Sequence, residues 1–231
     1  MKLLAIETAA EACSAALYLD GEIALRQVVE PRRHSALILE MMDALLAEAQ
    51  LGLSQLDGLA FGCGPGSFTG VRIATGVIQG VAFAEDLPVV PVSTLAALAQ
   101  RCFRERGERR LLPAFDARMG ELYWGSYRID DSGLAAPVER ELVADPQRVF
   151  LPDGGEWFGV GSGWIAHGTV LRDRFAARLS GVDGATLCSA WDVALLGEAG
   201  FRAGKAVTAE QALPVYLRDR VAWKPRTDPS V

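Results

Sequence analysis

The sequence predicts an α/β fold in two lobes, each built on a mixed sheet. Short apolar runs of strand length alternate with longer runs of helical period along the 231 residues, the pattern of elements that share layered sheets. The opening run Leu3-Leu4-Ala5-Ile6-Glu7-Thr8 has a counterpart in Leu111-Leu112-Pro113-Ala114-Phe115-Asp116. Each is an apolar strand ending in an acid, then a small-residue turn, then a second strand, which makes a weak internal duplication. Between the halves lies the charged run RERGERR, residues 104–110. It divides an N-terminal lobe, 1–107, from a C-terminal lobe, 108–231, whose last segment has the option of packing back on the first lobe.

The elements follow in order. Residues 3–8 form a buried strand, and 13–29 form two strands around Asp20-Gly21, a pair suited to the positive φ that both centres of a tight hairpin need. Residues 34–49, HSALILEMMDALLAEA, form a helix with two apolar stripes, Leu37/Met41/Ala44/Leu45 and Ile38/Met42/Leu46. That is more apolar surface than the outside of one small domain requires. The helix is either deeply buried, or packed on its own core on one side and on a partner on the other. Strand 56–64 leads into GPGSFTGVRIATG, residues 64–76, and a helix over 70–85 with Ser67 or Thr69 as its cap. Gly76 and Gly80 share a face with Ala84 and leave room for another helix. Strand 87–92 and a helix 94–106 capped by Ser93 close the first lobe. In the second, a strand pair falls in 110–133, a strand in 156–163, a helix in 164–179 and a helix in 190–203 capped by Ser189.

Composition narrows the function. Half of the residues are hydrophobic, 23% are charged, and the net charge is −6. An acidic chain gains little from counterion release, which argues against a dedicated nucleic-acid binder. Cys13, Cys63, Cys102 and Cys188 form no C-x-x-C pair. Reduced, buried thiols of a cytoplasmic protein are expected, and no metal site. Glu7 interrupts the N-terminal apolar run, and no stretch reaches the roughly 20 apolar residues of a membrane helix.

The glycine-rich turn is the main candidate site. A strand-to-helix turn directs backbone N–H groups at anions, so Gly64, Gly66 and Ser67 are candidate phosphate contacts, with Glu7 and Asp116 as acids near them. The motif is neither of the established nucleotide fingerprints, and a purely structural turn is the competing account. For Glu7 and Asp116 the alternatives are a weak nucleotide site and a capped hairpin turn.

Taken together, LAIETAAEACSAAL, HSALILEMMDALL, GPGSFTGVRIATG, DARMGELYWG and PVYLR resemble the bacterial TsaB (YeaZ) family, across nearly the whole chain. The resemblance implies the duplicated fold of the actin, Hsp70 and sugar-kinase (ASKHA) superfamily. It also implies a non-catalytic subunit for threonylcarbamoylation of the adenosine beside the anticodon in tRNAs, acting with the catalytic relative TsaD and the ATPase TsaE. In that relative, two metal-binding histidines lie four apart after the glycine loop. By position they become Thr94 and Leu98 here, neither able to hold such a metal.

The expectation is therefore no catalytic residue, no metal and no required cofactor, with ATP or ADP at a partner interface left open. Leu37, Ile38, Met41, Met42 and Leu45 on one helix, and Arg72, Ile73, Gly76, Val77 and Gly80 on the other, are expected at an interface with TsaD or, without it, in a homodimer. tRNA is contacted only indirectly. Neither His34, at a helix start, nor His167, on an expected surface helix, needs a catalytic role. Arg218, Arg220, Lys224 and Arg226, with Tyr216 and Trp223 between them, read as a solvated tail rather than an RNA contact. A stand-alone phosphotransferase is the alternative, with Glu7 or Asp116 holding magnesium; apart from Arg72 it lacks a basic group to clamp the transferred phosphate. A metallopeptidase lacks ligands altogether.

Overall fold

A computed structural model describes residues 1–30 and 32–218; Asp219, Arg220, Trp223, Lys224, Arg226 and Asp228 lie outside them. The first lobe runs β1 (Lys2–Glu7), β2 (Cys13–Leu19), β3 (Glu22–Val28), α1 (His34–Glu48), β4 (Gly58–Gly64), α2 (Phe68–Glu85), β5 (Val89–Ser93) and α3 (Thr94–Arg106). Its sheet has the order β3-β2-β1-β4-β5. β1 is antiparallel to β2 and parallel to β4, which is parallel to β5. Asp20 and Gly21 turn β2 into β3 with φ of 50° and 109°, as the hairpin signal requires.

The second lobe runs β6 (Arg110–Arg118), β7 (Glu121–Trp124), β8 (Tyr127–Ile129), β9 (Ala135–Pro137), β10 (Leu142–Ala144), β11 (Trp157–Val160), α4 (Gly163–Ala166), α5 (Gly168–Phe175), β12 (Leu179–Asp183) and α6 (Ala190–Arg202). Its central path, β10-β7-β6-β11-β12, repeats the first lobe strand for strand: two antiparallel pairings, then two parallel ones. The duplication suggested by two six-residue runs extends to the topology of both sheets. β1 and β6 are equivalent central strands.

Period-two alternation places the layers. Leu4 and Ile6 face the core beneath α1 and α2, whereas Leu3 and Ala5 face Ala190, Val193 and Ala194 of α6. The last α-helix among the described residues therefore covers the first sheet. Ser14 of β2 accepts a hydrogen bond from the Ala190 N–H at 2.9 Å, which fixes where α6 begins. Arg104 of α3 forks onto the fully buried Asp192 of α6 with two 3.0 Å hydrogen bonds. Burial lifts the Asp192 carboxyl to about 6 against the opposing pull of Arg104. α3 also packs on β6 through Leu95, Leu98 and Leu111, so it is the joint between the lobes.

Caps follow the sequence. Ser67 accepts from Gly70, Ser93 from Ala96 and Ser189 from Trp191. The expected helix over 164–179 is instead α4 and α5, broken at His167 and Gly168, then a single 3-10 turn and β12. The sequence signal failed there because the break at His167 and Gly168 divides the helix, and β12, five residues long and only half-buried, gave no strand signal of its own. The β8–β9 hairpin and β10, at three residues each, are too short for a period to register. All four cysteines are buried and free, and burial raises their thiols, Cys63 and Cys102 to about 12.

Candidate functional site

The glycine loop joins β4 to α2 and is packed on three sides by the chain itself. The Ser67 N–H donates to the Ala9 carbonyl at 2.7 Å, and the Thr8 hydroxyl donates to the Gly70 carbonyl at 2.7 Å. A Cβ at Gly66 would lie 2.3 Å from the Ala9 oxygen, and one at Gly70 only 2.1 Å from the Thr8 oxygen. These glycines are required by the β1–β2 turn that abuts them. Gly64, at φ 108°, faces the Val215 carbonyl, and the Val215 N–H donates to Cys63 at 2.8 Å. Beneath the loop the buried Thr94 hydroxyl donates to the Pro65 carbonyl. Thr94 and Leu98 are both fully buried in packing roles.

Glu7 ends β1 and is wholly buried. Its Oε1 accepts the Ala9 N–H at 2.5 Å; its Oε2 has no hydrogen-bond partner among the described residues and presses on Gly62, where a Cβ would lie 1.7 Å away. Burial raises the carboxyl to about 7, with the backbone N–H groups of Ala9 and Ala10 opposing and Glu11 adding to the rise. Asp116 on the equivalent strand β6 does the same job: its Oδ1 accepts the Arg118 N–H at 2.8 Å. Both acids hold the N–H two residues ahead. Of the two alternatives for them, the geometry is that of a capped turn. The turn after Asp116 is strained, with Arg118, Met119 and Gly120 at φ of 63°, 57° and 79°. His167 lies at the junction of α4 and α5 rather than on an exposed helix face, with Nε2 3.3 Å from the Glu121 carbonyl and 3.8 Å from Asp116. Among the described residues, no three His, Cys, Asp or Glu side chains come together as metal ligands.

The expected interface residues divide. Ile38, Met42 and Leu45 are buried in the core shared by α1, α2 and the first sheet, which removes them from any partner-facing surface. Both apolar stripes of α1 turn partly inward, because the helix lies in the groove between the sheet and α2. Leu37, Met41, Ile73 and Val77 are half-buried at its margin, and Arg72, Gly76 and Gly80 are exposed. Gly76 and Gly80 face open space. Sequence reasoning missed the large exposed apolar groups of the same helix: Phe83 is 77% exposed and Phe68 55%. Phe83 lies three residues beyond Gly80, a spacing that marks it in retrospect. Arg72 lies over the Phe68 ring, 3.7 Å from its centroid, and donates through Nε to the Tyr216 hydroxyl at 3.0 Å.

Two lobes with repeated five-strand paths, hinged on a buried helix and closed by acid-capped central strands, define a protein of the actin, Hsp70 and sugar-kinase class. Comparison with known proteins narrows this. The family model for TsaD, tRNA N6-adenosine threonylcarbamoyltransferase, matches residues 27–156. The tRNA threonylcarbamoyladenosine biosynthesis protein TsaB of Escherichia coli is 42% identical over 97% of both chains, and that of Haemophilus influenzae is 37% identical over 97% of this chain and 96% of its own. A crystal structure described as YeaZ from Pseudomonas aeruginosa is 45% identical and superposes with a TM-score of 0.85, covering 94% of this chain and 99% of that one. The chain belongs to the TsaB (YeaZ) family of tRNA threonylcarbamoyladenosine biosynthesis proteins.

Proposed function

We propose that the chain is the non-catalytic scaffold subunit of tRNA threonylcarbamoyladenosine biosynthesis. It acts in the cytoplasm through a complex with a TsaD-type catalytic subunit and a TsaE-type ATPase, and pairs with itself in their absence. The observation that carries this reading is the exposed face of α2. Phe83, Phe68, Gly76 and Gly80 lie on one helix with the half-buried Ile73 and Val77, which share a core margin with Leu37 and Met41 of α1. An apolar helix face with small residues at its centre suits another helix at close range. The loop supports the same reading, because Gly64, Gly66 and Ser67 are occupied by the chain's own turn and its C-terminal segment. Any ATP or ADP at the junction would need groups from the partner. Among the described residues no helix is long and apolar enough to cross a membrane.

The experiment is light scattering after size-exclusion chromatography, on the chain alone and mixed with its TsaD-type relative. A homodimer that exchanges into a one-to-one heterodimer is expected. Leu37→Glu and Met41→Glu abolish both. Dimerisation that survives these substitutions would show that the interface lies elsewhere.

A further inference from the structure

A cavity of about 790 Å³ lies between β5 and α6 on one side and the β8–β9 segment of the second lobe on the other. Most of its wall is apolar, with Pro91, Val92, Ala136, Leu196, Val215 and Leu217 among the lining, and Asp130, Glu139, Arg140 and Lys205 also line it. At its floor Glu141 stands between the lobes. Its Oε1 accepts hydrogen bonds from the Ser93 hydroxyl at the end of β5 and from the Tyr127 hydroxyl of β8. No described residue donates to its Oε2, and no described Lys, Arg or His lies within ion-pair distance. Burial pushes its carboxyl upward, and the two hydroxyls pull it back. The Oε2 is left free to accept from a ligand in the cavity, and a cation is the donor a carboxylate binds most strongly.

The shape selects a small molecule over an extended peptide. β5 is an edge strand, yet Val89 is already bridged on that side by Val207 through both backbone hydrogen bonds. Two residues on, Pro91 has no N–H to continue the ladder. Strand addition is blocked at this edge. The segment carrying Val215 and Leu217 then crosses from Cys63 of the first lobe to Glu121 of the second, the latter through Arg218 at 2.5 Å, and narrows the opening. The volume is within the range that small ligands occupy, and the three carboxylates of the lining, Asp130, Glu139 and Glu141, outnumber its two cations, Arg140 and Lys205.

We infer that this interlobe cavity is a binding site for a small organic cation, an ammonium on an apolar stem, with Glu141 as its charge partner and Ser93 and Tyr127 holding the carboxylate in place. The test uses the full chain and phenethylamine as the probe, followed by calorimetry and amide chemical shifts. The neutral isostere phenethyl alcohol and the anion phenylacetate serve as controls. The amine is expected to bind at least tenfold more tightly than the alcohol, with shifts at Ser93, Tyr127 and Val92, and phenylacetate not to bind. Glu141→Gln removes the preference for the amine, whereas Glu139→Gln, at the rim, preserves it. Ala136→Phe narrows the cavity and weakens binding of amine and alcohol alike without changing Glu141, and thermal melts show that each variant is folded. Equal affinity for amine and alcohol, an unchanged preference in Glu141→Gln, or shifts mapping elsewhere would overturn the assignment.

Discussion

Glu7→Gln probes the most unusual group in the protein, a wholly buried carboxyl with one oxygen unpartnered. Its acidity is raised from 4.5 to about 7, burial being the chief cause. The folded state therefore holds a proton that the unfolded state releases near pH 4.5. The stability this supplies is complete below about pH 4.5 and is lost as the pH rises through about 7. A shift of this size corresponds to about 3 kcal/mol between the two limits. Gln keeps an oxygen for the Ala9 N–H and cannot ionise. Asp192, raised to about 6, and Glu141, also raised, titrate in the same direction, so the wild-type slope alone is not diagnostic. The difference between wild type and variant isolates Glu7. Urea unfolding followed by circular dichroism at pH 5, 6, 7 and 8, at one fixed protein concentration, measures it. Relative to wild type, the variant should gain about 3 kcal/mol between pH 5 and pH 8. A difference independent of pH would refute the reasoning and show that Glu7 reaches solvent or a counter-charge.

Gly62→Ala drives a methyl onto the Glu7 carboxyl and should cost about 3 kcal/mol, as overpacking of a tight core does; Glu7→Asp in the same chain, with its shorter side chain, recovers part of that loss in a double-mutant cycle. Arg104→Met strips the partner from the fully buried Asp192 and should lower stability by about 3 kcal/mol at pH 8, with a smaller loss at pH 5, where the acid is protonated; equal losses at both would refute the pairing. Gly76→Ala sits in open space on a helix, so it should raise the stability of the chain by about 1 kcal/mol, read as a higher urea midpoint at unchanged slope. Gly80→Leu leaves folding intact on the same grounds, yet weakens association with the TsaD-type relative, as light scattering would register.

The fold was legible where local chemistry and long-range packing agree. Asp20-Gly21 specified a hairpin, Ser93 and Ser189 specified helix starts, Ser67 was one of two candidates for a third, and the acids after two apolar runs marked equivalent central strands. Legibility ended where elements are short or half-buried: β8, β9, β10 and β12 carry too few residues for a period to emerge. The helix expected over 164–179 failed because His167 and Gly168 interrupt it. At the candidate interface, the apolar content of α1 was plain, but which stripe faces inward was not. Helical period shows that Leu37 and Ile38 lie on adjoining faces without saying which one meets the sheet.

The sequence by itself determined the class of fold, the absence of histidines at Thr94 and Leu98, and the family, because these depend on residue identity at fixed spacing. Tertiary structure decided what surrounds each group. It brought Ala9 against Gly66, which occupies the loop that looked fit for phosphate. It laid α6 from the end of the chain across the first sheet, and set Ser93, Tyr127 and Glu141 around one cavity though they come from distant parts of the sequence. Burial and the pairing of charges are properties of neighbours, and the neighbours of Glu7, Asp192 and Glu141 exist only once the chain has closed on itself.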